Sequence, residues 1–157
     1  MISWRATLPA TIVLATGLLL SPILAAASAP DDACKLVTQG DLNRLGIVSG
    51  PTSRAADSPN QAMRICTAGT GAGPPMFMLM IQDIKLPIAV QMGRKRLEED
   101  GDERISGPWD IATISWGADG MQVHFFKGNR SVMVKFWKTD DAARAALIDI
   151  ASRVAGQ

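Results

Sequence analysis

Residues 111–137 read IATISWGADGMQVHFFKGNRSVMVKFW. Three short apolar-rich runs, Ile111–Trp116, Met121–Phe126 and Ser131–Trp137, are separated by Gly117-Ala118-Asp119-Gly120 and Lys127-Gly128-Asn129-Arg130. Glycine with Asp or Asn between β-branched and aromatic runs marks a hairpin connection, so the stretch predicts a three-stranded antiparallel meander. Strand alternation puts Met121, Val123 and Phe125 on one face and Gln122, His124 and Phe126 on the other. In the third strand Val132, Val134 and Phe136 alternate with Ser131, Met133, Lys135 and Trp137. A helix follows. Thr139 reads as its cap, with Asp140 and Asp141 in the first turn, where the helix dipole favours acids. Ala143, Leu147, Ile150 and Val154 then form one apolar stripe to lie on a sheet.

Upstream, Met76–Asp83 is apolar on both faces and predicts a central strand covered on both sides. A shorter strand is expected around Met63–Thr67, before the breaker Gly69-Thr70-Gly71-Ala72-Gly73-Pro74-Pro75. Pro87 can open a helix at its first turn. Ile88, Met92 and Leu97 read as its buried side. Arg94, Lys95 and Arg96 each precede an acid by four residues (Glu98, Glu99, Asp100), which reads as a solvated face rather than a nucleic-acid or membrane surface. Residues 49–61 read as a surface loop. Thr38 and Asp41 have capping-box spacing, Val37 and Leu42 have staple spacing, and Gly46 ends this first helix. The predicted class is α+β: an antiparallel sheet with a C-terminal three-stranded meander, flanked by helices, in the order α-β-β-α-β-β-β-α. Residues 30–157 read as a single globular domain.

The chain has 157 residues, 47% hydrophobic and 20% charged, with a net charge of +1. That fits one domain and excludes a disordered or collagen-like chain. It gives no basic excess for phosphate contacts, so nucleic acid is not an expected partner. Residues 1–29 read as a signal peptide: Arg5, an apolar run from Leu8 to Leu24, then Ala25-Ala26-Ala27-Ser28-Ala29. Cleavage after Ala27 or after Ala29 fits, and Pro30 disfavours the second. Pro9, Gly17 and Pro22 interrupt the run, so no permanent transmembrane anchor is expected. Removing this segment takes away Arg5 and leaves basic and acidic residues equal in number. An exported chain meets an oxidising compartment, where the even pair Cys34 and Cys66 reads as a disulfide. Free thiols, or redox or metal chemistry at these thiols, are the alternatives.

Cys34-Lys35-Leu36-Val37-Thr38, Asp41, Leu45-Gly46, the second cysteine Cys66 and Gly107-Pro108-Trp109-Asp110-Ile111-Ala112 carry a resemblance. Together with the closing meander and helix over 121–155, this pattern resembles a family of small exported bacterial domains of unknown function. Many of these are lipoproteins, of the PsbP-like and LpqN-like type. The resemblance implies a PsbP-like α/β sandwich and a periplasmic or secreted location, and it carries over no catalytic residue. This chain departs from the lipoproteins: Asp31-Asp32-Ala33 before Cys34 does not suit a lipidation site.

Few residues of the chain are candidates for chemistry. His124 is the one histidine in the chain, so no multi-histidine metal cluster is possible and only one imidazole is available to a triad. Pro74-Pro75 after the glycines argues against a phosphate loop. Asp57, Asp83, Asp110 and Asp119 are candidates for paired carboxylates, although Asp110 fits better as a turn residue bonding its own backbone. Met76, Met78 and Met80 alternate, which would place three thioethers on one side of a strand. Soft thioethers select Cu(I), with Met121 or Met133 as a further ligand and Trp137 as a cation–π cover. The same methionines also suit plain core packing. Trp109, Trp116, His124 and Trp137 form a candidate binding surface. The expected role is an exported, non-catalytic envelope binding or accessory protein without a cofactor, whose partner is an envelope protein or a small ligand. The alternatives are a Cu(I)-binding protein and a small hydrolase-like enzyme.

Overall fold

The computed structural model describes residues 32–69, 75–100 and 102–157. The expected signal segment 1–29 and most of the 69–75 breaker lie outside these residues. After a 3-10 turn at Ala33–Leu36 come α1 (Gln39–Arg44), β1 (Thr52–Ser58), β2 (Gln61–Ala68) and β3 (Phe77–Ile84). Then follow α2 (Pro87–Glu99), β4 (Glu103–Arg104), β5 (Ile111–Gly117), β6 (Gly120–Lys127), β7 (Arg130–Phe136) and α3 (Asp141–Ala155). The described strands form one antiparallel sheet of seven, ordered β1-β2-β3-β7-β6-β5-β4. The chain is thus α+β, with two strands, β1 and β4, beyond the expected order.

The meander forms where its turn residues place it. Gly120 closes the first hairpin at φ +100°, and a Cβ there would lie 2.3 Å from the Phe136 carbonyl oxygen. Glycine alone meets both demands. One row crosses five strands in register: Cys66, Leu79, Val134, Val123 and Ile114. All five are buried. Flanking them on the same face are Phe77, Ile81, Val132, Phe136 and Phe125, and α3 covers this face with Leu147, Ile150 and Val154. The cap of α3 is Asp140, one residue later than Thr139, because its Oδ1 accepts the Ala143 N–H at 2.7 Å.

Cys34 and Cys66 are joined in a disulfide with Cα atoms 4.9 Å apart, which ties the 3-10 turn to the core row. The capping box forms: Asp41 Oδ2 accepts the Thr38 N–H at 2.9 Å, and Thr38 Oγ1 accepts the Asp41 N–H at 3.1 Å. Asp41 also accepts Arg44 at 3.0 Å and, from α3, Arg153 at 2.6 Å. A carboxylate that looked local therefore also fastens α1 to α3.

Three expectations need correction. Residues 52–58 are a strand, not a loop. They lack apolar alternation because β1 is an edge strand exposed on both faces, held by in-register pairing with β2. Helix α2 lies on the other side of the sheet from α3, but it does not bury Ile88 and Met92, which are 61% and 66% exposed. It turns Gly93 and Leu97 inward instead: a Cβ at Gly93 would stand 2.6 Å from Phe126 Cζ, so only a bare backbone lets the helix sit on that ring. Finally, β3 is interior to the sheet but covered fully on one face only. Phe77, Leu79 and Ile81 are buried, while Met78, Met80 and Gln82 are half-buried.

Candidate functional site

The seven strands have two faces, and the helices cover them unequally. The 3-10 turn, α1 and α3 pack on the core face. On the second face α2 reaches β5, β3 and the Phe126 ring. Apart from the contact of α2 with β3, the part of that face over β1, β2, β3 and β7 carries no extensive helix packing among the described residues. Register assigns its side chains to rows. One row runs Thr52, Thr67, Met78, Lys135 and Gln122, and the next runs Arg54, Ile65, Met80, Met133 and His124. A depression of about 580 Å³ opens at the β1–β2–β3 end, lined by Thr52, Arg54, Ile65, Thr67, Pro75 and Met78 among others.

The charge on this surface is one-sided. Arg54 and Lys135 have no carboxylate partner among the described residues, whereas most other arginines are paired. The Lys135 ammonium sits 4.8 Å from the centre of the Trp137 ring, a cation–π contact. None of the face's described side chains on β1, β2, β3, β6 or β7 is acidic. The carboxylates lie past the other end, where Asp100 and Asp102 follow α2 and act on His124.

His124 is half-buried, and its Nε2 is 2.9 Å from Ser131 Oγ. Burial pushes its pKa down, against a smaller upward pull from Asp100 and Asp102. Neutral imidazole is therefore favoured there. Ser131 is the hydroxyl that sequence reading missed. It lies seven residues along the hairpin, and only the register brings it to the imidazole. Such a pair has the elements of a nucleophile and a base. However, Ser131 is 5% exposed, and Nδ1 has no hydrogen-bond partner among the described residues.

The structure disperses several sequence candidates. Met76 precedes β3 and packs against the core, and Met121 is buried in it, so neither joins Met78 and Met80. Met133 does: it stands directly opposite Met80. Trp109 lies against Phe125 with ring centres 5.3 Å apart, and its Nε1 donates to the Ile105 carbonyl at 3.1 Å. Trp116 pairs with Met121 on the core side of the sheet, away from His124. The four aromatic candidates thus make no common surface. The Trp137 ring is engaged by Lys135, the residue paired with Met78. Three of the four candidate aspartates meet bases: Asp57 pairs with Arg64, Asp83 with Arg130 and Asp110 with Arg94. Asp110 bonds across to the β6–β7 turn, accepting the Gly128 N–H at 2.8 Å, and not to its own backbone. No helix among the described residues is long and apolar enough to cross a membrane. No protein-family model matches this sequence, and no curated protein matches it.

Proposed function

We propose that this chain is an exported, non-catalytic binding module of the bacterial envelope, and that it takes a ligand with an acidic group on an apolar body. The observation that carries this reading is the make-up of the uncovered sheet face. Arg54 and Lys135, without carboxylate partners among the described residues, stand beside Ile65, Met78 and Met80 on a face whose described strand side chains include no acid. Apolar area supplies the attraction and unpaired cations select the charge. A disulfide suits an oxidising compartment. The sequence resemblance to small exported bacterial domains adds to this reading.

Photo-crosslinking in intact cells tests the reading. A photoreactive residue at Met78 should give a specific adduct, and one at Asp149, exposed on α3 across the core, should not. Adducts at Asp149 alone, or at neither position, would contradict it.

A further inference from the structure

The register of the sheet brings together soft ligands that lie far apart in sequence. Met80 on β3 is the direct partner of Met133 on β7, and Met133 is the direct partner of His124 on β6. All three are half-buried and belong to the face away from the core. Directly opposed side chains in a sheet have Cβ atoms about 4.5–5.5 Å apart. Methionine is unbranched with three rotatable bonds, so two such thioethers and the adjacent imidazole can converge on one ion placed above Met133.

We propose that Met80, Met133 and His124 form a site for a soft monovalent metal ion of the Cu(I) type. Two thioethers and an imidazole are neutral, soft to intermediate donors, a set that selects Cu(I) over hard divalent ions. The surroundings add three independent supports. Ser131 Oγ engages His124 Nε2 at 2.9 Å. With Nε2–H donating to that oxygen, the tautomer leaves a lone pair on Nδ1, the outer-sphere arrangement that metal-bound histidines use. Asp100, Asp102 and the C-terminal end of α2 place negative potential near the imidazole, which favours a cation there. The only cysteines of the chain are locked in the Cys34–Cys66 disulfide, so no thiolate competes for the ion. Lys135 lies beside Met78, the next methionine along β3. Its charge keeps the ion at the His124 end, apart from the cationic end of the face. The metal site shares Met80 with the docking face above but takes no donor from Arg54 or Lys135, so Cu(I) competition reads it separately from acidic-ligand binding.

The test uses the exported protein with its disulfide intact. It is titrated without oxygen with Cu(I) as its acetonitrile complex, against bicinchoninate as a coloured competitor. One equivalent should be withheld from the dye. Met80→Leu and Met133→Leu should each weaken binding at least about tenfold, and Ser131→Ala should weaken it by about 10–100-fold. Met76→Leu and Met92→Leu should leave it unchanged. Leucine conserves volume, so these variants should stay folded. Methionine-methyl NMR of the wild type with Ag(I) needs no variant: the Met80 and Met133 resonances should move together at one equivalent. No metal withheld from the dye would overturn the site. So would binding undiminished in the Met80→Leu/Met133→Leu double variant, or Ag(I) shifts confined to other methionines.

Discussion

Asp41 offers the sharpest test of how the helical layer is held. Its carboxylate is buried, at 2% exposure. Burial alone would raise its pKa. Arg153, the Thr38 N–H and hydroxyl, and Arg44 outweigh that and bring it to about 2 from 3.8. At about 1.4 kcal/mol per pH unit, that difference corresponds to roughly 2–3 kcal/mol of folding stability at neutral pH before solvent screening. The two arginines are about half exposed (46% and 47%), and solvent screens them, so about 1–2 kcal/mol is the working expectation. A carboxylate with a depressed pKa contributes fully above its unfolded pKa, and the contribution is lost as pH falls toward the folded one. Asp41→Asn removes the charge and turns one acceptor into an amide facing donors, adding a pH-independent cost of about 1 kcal/mol. Urea unfolding of wild type and variant from pH 7 to 2.5 separates the two parts. The gap between the curves should be widest above pH 5 and shrink by about 1 kcal/mol, roughly two thirds of the contribution, as the medium approaches pH 2.5. Parallel curves across the acid range would refute the reasoning.

Gly93→Ala should destabilise by about 1–3 kcal/mol although alanine favours helix, because its methyl enters the Phe126 ring; thermal melting reads this. Replacing Cys34 and Cys66 together by serine should cost about 3–4 kcal/mol in urea unfolding, from the loop of roughly 33 residues they close. His124 should titrate below 6.5 by imidazole NMR. Stability linked to it should hold above that pH and fall as the medium acidifies; a midpoint above 6.5 would contradict its burial.

Short-range signals carried the parts of the fold that were legible in the sequence. The glycine-bearing turns at 117–120 and 127–130 announced the meander, the stripe Ala143–Val154 announced α3, and Thr38 with Asp41 announced α1. What stayed hidden depends on partners distant in the chain. Strand β1 has no apolar side to declare it and exists through pairing with β2. Helix α2 follows the one close approach that Gly93 permits, so Ile88 and Met92, the obvious hydrophobics, face outward. Met80 and Met133 lie in different hairpins, and only the β3–β7 pairing makes them neighbours. The Met-x-Met-x-Met run was visible, but strand alternation alone did not show that Met76 packs toward the core.

Native mass spectrometry of protein recovered from the exported fraction without chelator tests the central claim most directly. Wild type is compared with the Arg54→Glu/Lys135→Glu variant. The account predicts a chain beginning at Ser28 with its cysteines oxidised, carrying an acidic adduct on the wild type that the charge-reversed variant lacks. A bare wild type, or an adduct that the variant keeps, would contradict the claim that the uncovered face is where this protein binds.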